Sequence, residues 1–116
     1  MIENFTPHEL VIFGQDGKTI LTKIPPSGQV ARVTTRRTKV GELADADGHS
    51  VPIMRTEFGE VIGLPEPEEG TIYVVSILVL QALPTRQDLV GADTTPEGVV
   101  RDADGKILGV KAFQVL

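Results

Sequence analysis

The chain contains no cysteine, which excludes disulfides, thiolate metal sites and cysteine nucleophiles and leaves the redox compartment open. It has no tryptophan either, and its aromatic residues are four Phe and one Tyr. Platforms on which unpaired bases stack are therefore scarce, and the core must be built from Val, Ile, Leu and Ala. Basic excess is also missing, since 11 Lys and Arg stand against 16 Asp and Glu, a formal charge of -5. A protein held to duplex nucleic acid by phosphate neutralisation carries the opposite balance, so no duplex nucleic-acid partner is expected. Long apolar runs are absent as well. The longest, Ile72 to Leu80, is broken by Ser76 and falls far short of the roughly 20 residues that span a bilayer. "MIENFTPHEL" lacks the basic and apolar regions of a secretion signal. The expectation is a soluble, cytoplasmic protein with no membrane partner.

What is present is turn punctuation. The 116 residues fit one domain, residues 1-116, able to bury somewhat over ~60% of its unfolded surface. Asp16-Gly17, Asp47-Gly48 and Asp104-Gly105 are each flanked by apolar residues, and Asp-Gly supplies the positive φ that tight hairpins need. The pairs predict hairpins joining "ELVIF" to "TILTKI", "KVGEL" to "VPIMR" and "GVVRD" to "KILGVKAF". "PPSG" turns the chain into "QVARVTTRR", whose period of two sets Ala31, Val33 and Thr35 against Arg32, Thr34 and Arg36. That predicts a separate, half-buried strand with a basic outer face, and "EFGEVIG" predicts another short strand. The Pro- and Glu-rich connector Pro65 to Gly70 cannot lie inside a sheet, because proline lacks the ladder donor.

After that connector "TIYVV" reads as a strand buried on both faces, its apolar residues not alternating with polar ones. The next stretch admits a strand continuing to residue 80 or a short helix, Ile77 to Leu83, capped by Ser76 and stopped by Pro84; composition favours the helix. Residues 72 to 83 as a whole read as core. The fold class expected is α+β: a β-rich single domain of hairpins around a buried central strand, with one short helix.

Chemistry-bearing motifs are few. "DADG" occurs at residues 45 to 48 and 102 to 105, but an EF-hand alignment puts Leu43 and Val100 at the first ligand position and Met54 and Lys111 at the last. Both are read as turns, and no metal is expected. Neither a nucleophile elbow nor a phosphate-binding glycine loop occurs, so no catalytic residue and no cofactor is assigned. Three polar features remain. "NFTPHEL" gathers Asn4, Thr6 and His8 before a strand. Ser76 caps a helix whose free N–H groups form a weak anion site. "PTRQDLV" then returns Arg86 and Asp88 to the end of the core segment. These two form either a surface ion pair of little consequence or part of a pocket. In the pocket reading Arg86, with Arg32 or Arg36 from the basic strand, holds a phosphate or carboxylate.

"NFTPHEL", "IPPSGQVARV", "GEVIGLPEPEEGTIYVVS", "LPTRQDLVGAD" and "VVRDADGKILGVKAF" together resemble an uncharacterised family of small bacterial and phage proteins that open on a TPH segment. The PPSG, GLPEP and VVRD segments are the specific parts. The resemblance implies bacterial or phage origin and a single domain, and it assigns no activity. The leading expectation is a non-enzymatic binder of a small anionic ligand, nucleotide-like or a phosphorylated metabolite, through Arg86, Asp88, Ser76, His8, Arg32 and Arg36. The alternative is a structural or interaction protein without such a ligand, with an enzyme third. A homo-oligomer is expected in either case, its contact made by the apolar C-terminal strand "GVKAFQVL".

Overall fold

The computed structural model describes all residues 1–116 and is β-rich with one short helix. The elements run β1 (Ile2–Asn4), β2 (Leu10–Phe13), β3 (Ile20–Ile24), β4 (Arg32–Ala44), β5 (Ser50–Ile62), β6 (Ile72–Val74), α1 (Ile77–Ala82), β7 (Leu89–Ala92), β8 (Val99–Arg101), β9 (Ile107–Val110) and β10 (Phe113–Gln114). One sheet has the order β1-β6-β7-β10, with β1, β6 and β7 parallel and β10 antiparallel to β7. A second has the order β3-β2-β9-β8, in which β2 and β9 are parallel through Ile12 and Val110. The third is a ribbon of β4 and β5 alone.

Each Asp-Gly pair sits where an antiparallel pair turns, and Gly17, Gly48 and Gly105 all have φ between 69 and 84°. The two DADG segments form the same turn. Asp45 Oδ1 accepts from the backbone N–H groups of Asp47 and His49, and Asp102 Oδ1 accepts from those of Asp104 and Lys106. The carboxylate of the first Asp thus satisfies two donors that the reversing chain strips of partners.

The core lies between the first sheet and α1. Tyr73, Val74 and Val75 are all at most 1% exposed, and Tyr73 and Val75 pack with Phe5, Ala31, Val79, Leu80 and Leu89. Phe5 meets Tyr73 edge to face at 5.2 Å, the arrangement in which one ring's positive edge faces the other's negative face. Ser76 caps the helix by accepting from Val79 N–H. The turn of helix buries Val79 and Leu80 and leaves Leu78 48% exposed, so residues 72 to 83 are not uniformly core.

The larger departure is in residues 32 to 62. In place of four short strands there are two of thirteen residues, paired from Arg32↔Ile62 to Ala44↔Ser50, with bulges after Val33 and Lys39. No proline lies between Gln29 and Ala44, Gly41 falls at the second bulge, and the bulges let the ladder absorb its irregularities instead of ending. Val33 and Val61 still pack on the core. Beyond them the ribbon leaves the body. Every residue from Thr34 to Glu60 is exposed except Gly41 and Glu57, which are half-buried. Thr35, expected on a buried face with Ala31 and Val33, is therefore exposed. At about 3.3 Å per residue the arm is ~40 Å long. Its projection raises the radius of gyration to 17.5 Å, against about 13 Å for a compact chain of this length.

Candidate functional site

The six residues singled out from the sequence occupy four places: Arg86 falls with Asp88, Ser76 with Arg32, and His8 and Arg36 each stand apart. Arg86 lies 19% exposed beside Asp88 at 14%, held by two parallel bonds, Nε to Oδ1 at 2.9 Å and Nη2 to Oδ2 at 2.6 Å. Its Nη1 donates to the Pro65 carbonyl at 3.1 Å, tying the strand entering β7 to the Pro-rich connector. The carboxylate raises the basicity of Arg86, and the guanidinium holds the Asp88 carboxyl below its ordinary range against the opposing effect of burial. Arg86 does line a cleft of ≈ 270 Å³ with Leu80, Leu83, Pro84, Gln87, Leu89 and the chain end Val115-Leu116. It enters that cleft already neutralised. It is thus neither a surface pair of little consequence nor an uncommitted cation.

Ser76 and Arg32 border a second cleft of ≈ 270 Å³ between Phe5, Val33 and Leu78, at the root of the arm. The Ser76 hydroxyl is engaged as the helix cap, and a six-residue helix offers little field of its own. His8 lies at a third, mostly apolar cleft of ≈ 370 Å³ beside Glu9, Val11 and Leu108, between the two sheets. Its carbonyl, not its ring, is what the fold uses. The buried Asn4 donates from Nδ2 to the carbonyls of His8 and Ile24, and its Oδ1 accepts from the N–H and hydroxyl of Thr6. Arg36 stands out on the arm, paired with Glu57 at 2.9 Å and 79% exposed.

At the arm's tip, Asp45, Asp47 and His49 bring potential metal-ligand atoms within 4.8 Å of one another. Asp45 has both oxygens engaged in the turn, Oδ2 facing His49 Nδ1 at 2.9 Å, and these bonds lower its carboxyl. The cluster is a complete turn.

The feature that motif reading missed is the arm itself. Strand alternation sets Leu43, Val51 and Ile53 on one face and Met54 and Phe58 on the other, all at least 38% exposed, with Val40 exposed at the bulge. The sequence signal for it was the pair of long, breaker-poor runs flanking Asp47-Gly48. The C-terminal segment "GVKAFQVL" is divided between two sheets: its start lies in β9, flanked by β2 and β8, while β10 forms an edge of the first sheet over two residues only. No protein-family model matches the chain, and no curated protein or solved structure is similar enough to count as a match. No helix is long and apolar enough to cross a membrane.

Proposed function

We propose that this protein, of bacterial or phage origin as the resemblance implies, works by association, and that the β4-β5 arm is its contact element. The supporting observation is that the arm is long, ordered as one antiparallel ladder, and without a single buried residue from Thr34 to Glu60. Ordering a residue costs about 1–2 kcal/mol, and an isolated two-stranded ribbon is marginal in water. Exposed Leu, Val, Ile, Met and Phe side chains on both of its faces are accounted for by a macromolecular surface that covers them. Excising residues 36–57 and joining Thr35 to Phe58 through Asn-Gly tests the reading. The body should stay folded with an unchanged melting temperature, because residues 36–57 contribute nothing to the core. A body that unfolds would make the arm a part of the fold and sink the reading.

A small anionic ligand remains a second reading, favoured by the place of Arg86 on an apolar cleft. It requires the ligand to share or displace Asp88.

A further inference from the structure

We infer that the arm's partner is a second copy of this chain, with two arms lying side by side and antiparallel. The inference rests on the contact-element reading above and names the occupant. Charge along the arm is segregated. The half nearest the body, residues 32–39 and 54–62, carries five cations (Arg32, Arg36, Arg37, Lys39 and Arg55) against two carboxylates (Glu57 and Glu60). The outer half, residues 40–53, carries Glu42, Asp45 and Asp47 and no Lys or Arg. Within the chain Arg36 pairs with Glu57 and Lys39 with Glu42, whereas Arg32, Arg37 and Arg55 have no carboxylate within 4 Å. A two-fold axis through the middle of the arm brings each acidic tip over the other's basic root. A parallel arrangement sets like charges together, which costs several kcal/mol in an interface. Self-complementarity about a two-fold axis is what an isologous dimer requires.

The area agrees. The chain exposes 7965 Å², whereas a folded monomer of 12.5 kDa exposes about 6200 Å². The excess of ~1800 Å² is about twice the ~800 Å² that each partner contributes to a standard interface. The edges of the ribbon are blunted, β5 by Pro52 and the bulge between Phe58 and Val61, β4 by the bulge at Val40. Pairing is therefore through the apolar faces, with the charges setting direction.

The test is a charge exchange read by light scattering at tens of micromolar protein. Wild type should be a dimer that dissociates as salt is raised. A chain with a basic tip (Ala44→Lys, Ala46→Lys, Asp47→Lys) and a chain with an acidic root (Arg37→Glu, Arg55→Glu) should each be monomeric, their dissociation constants raised roughly tenfold or more. Mixed in equal amounts they should form a heterodimer, which also shows that both are folded. Because the chain has no cysteine, orientation can be read directly: Ala46→Cys should form a disulfide with a Thr35→Cys chain and not with itself. A monomeric wild type, charge variants that dimerise like wild type, or a tip-to-tip disulfide would each overturn the inference. A monomeric wild type whose body survives arm excision would leave the arm as a contact element for a different macromolecule.

Discussion

The Arg86 guanidinium and the Asp88 carboxylate, two residues apart, close a bidentate pair at 2.9 and 2.6 Å with both side chains more than four-fifths buried. The single change Arg86→Ala leaves that carboxylate largely buried and unpaired and strips the Pro65 carbonyl of its donor. Removing one partner of a fully buried pair costs about 3–5 kcal/mol. With residual exposure on both sides the expected loss is ~2–3 kcal/mol in urea unfolding. Arg86→Ala with Asp88→Ala should cost clearly less than the two single losses added, because no lone charge is left behind. A loss under about 0.5 kcal/mol for Arg86→Ala would return the pair to the class of inert surface contacts.

The same pair sets a pH dependence. Arg86 lowers the Asp88 carboxyl, so the folded state binds its proton more weakly than the unfolded chain does. The resulting stabilisation is present above the ordinary carboxylate range and is lost as pH falls through the depressed folded value. Asp16, whose carboxyl accepts from Thr19 and Lys18 in the first hairpin turn, is held at about 2 and acts in the same direction. Urea midpoints measured between neutrality and pH 3 should fall less steeply for Asp88→Asn than for wild type. Parallel curves would remove Asp88 from the acid response.

Turns and the helix were legible because their chemistry is local. Asp-Gly imposes its own backbone angles, and Ser76 with Pro84 brackets a helix within a few residues. The arm was not legible as an arm. Period-two alternation marks a strand but does not say what covers its faces, and "VTTRRTKVGEL" reads the same whether the Val33 face continues into a core or leaves it. Parallel pairing of β1 with β6 joins residues about seventy positions apart, and no local pattern encodes that. The site residues dispersed for a related reason: Arg86 was noticed for its charge, while its partners Asp88 and Pro65 decide what that charge can do.

Gly63, which ends the arm, predicts a sharp backbone effect. Its φ is +84°, and a Cβ there would lie 2.5 Å from the Val30 carbonyl oxygen. Gly63→Ala should lose at least about 1–2 kcal/mol from the left-handed angle alone, with more from displacing the Val30 backbone. By comparison Gly48→Ala, with a similar angle and nothing within 4 Å of the added carbon, should show only the angular cost. Thermal melts of the two variants measure the difference. Equal shifts would mean that the contact with Val30 is absent in solution.

The helix offers a within-element test of where the core ends. Leu78 and Leu80 sit two positions apart on α1, the first 48% exposed toward the cleft at the arm's root and the second 3% exposed among Val75, Leu89 and Tyr73. Truncating a buried leucine loses transfer free energy and leaves a cavity, so Leu80→Ala should cost about 2–4 kcal/mol. Leu78→Ala removes carbons that are already half in water and leaves no enclosed void, so its cost should stay within ~0.5–1 kcal/mol. If two arms pair as inferred, the same Leu78 change should also leave association intact, because the charged and apolar groups that drive pairing lie on β4 and β5. A Leu78→Ala loss as large as that of Leu80→Ala would show that the arm's root packs over the helix more closely than the exposed Leu78 side chain indicates.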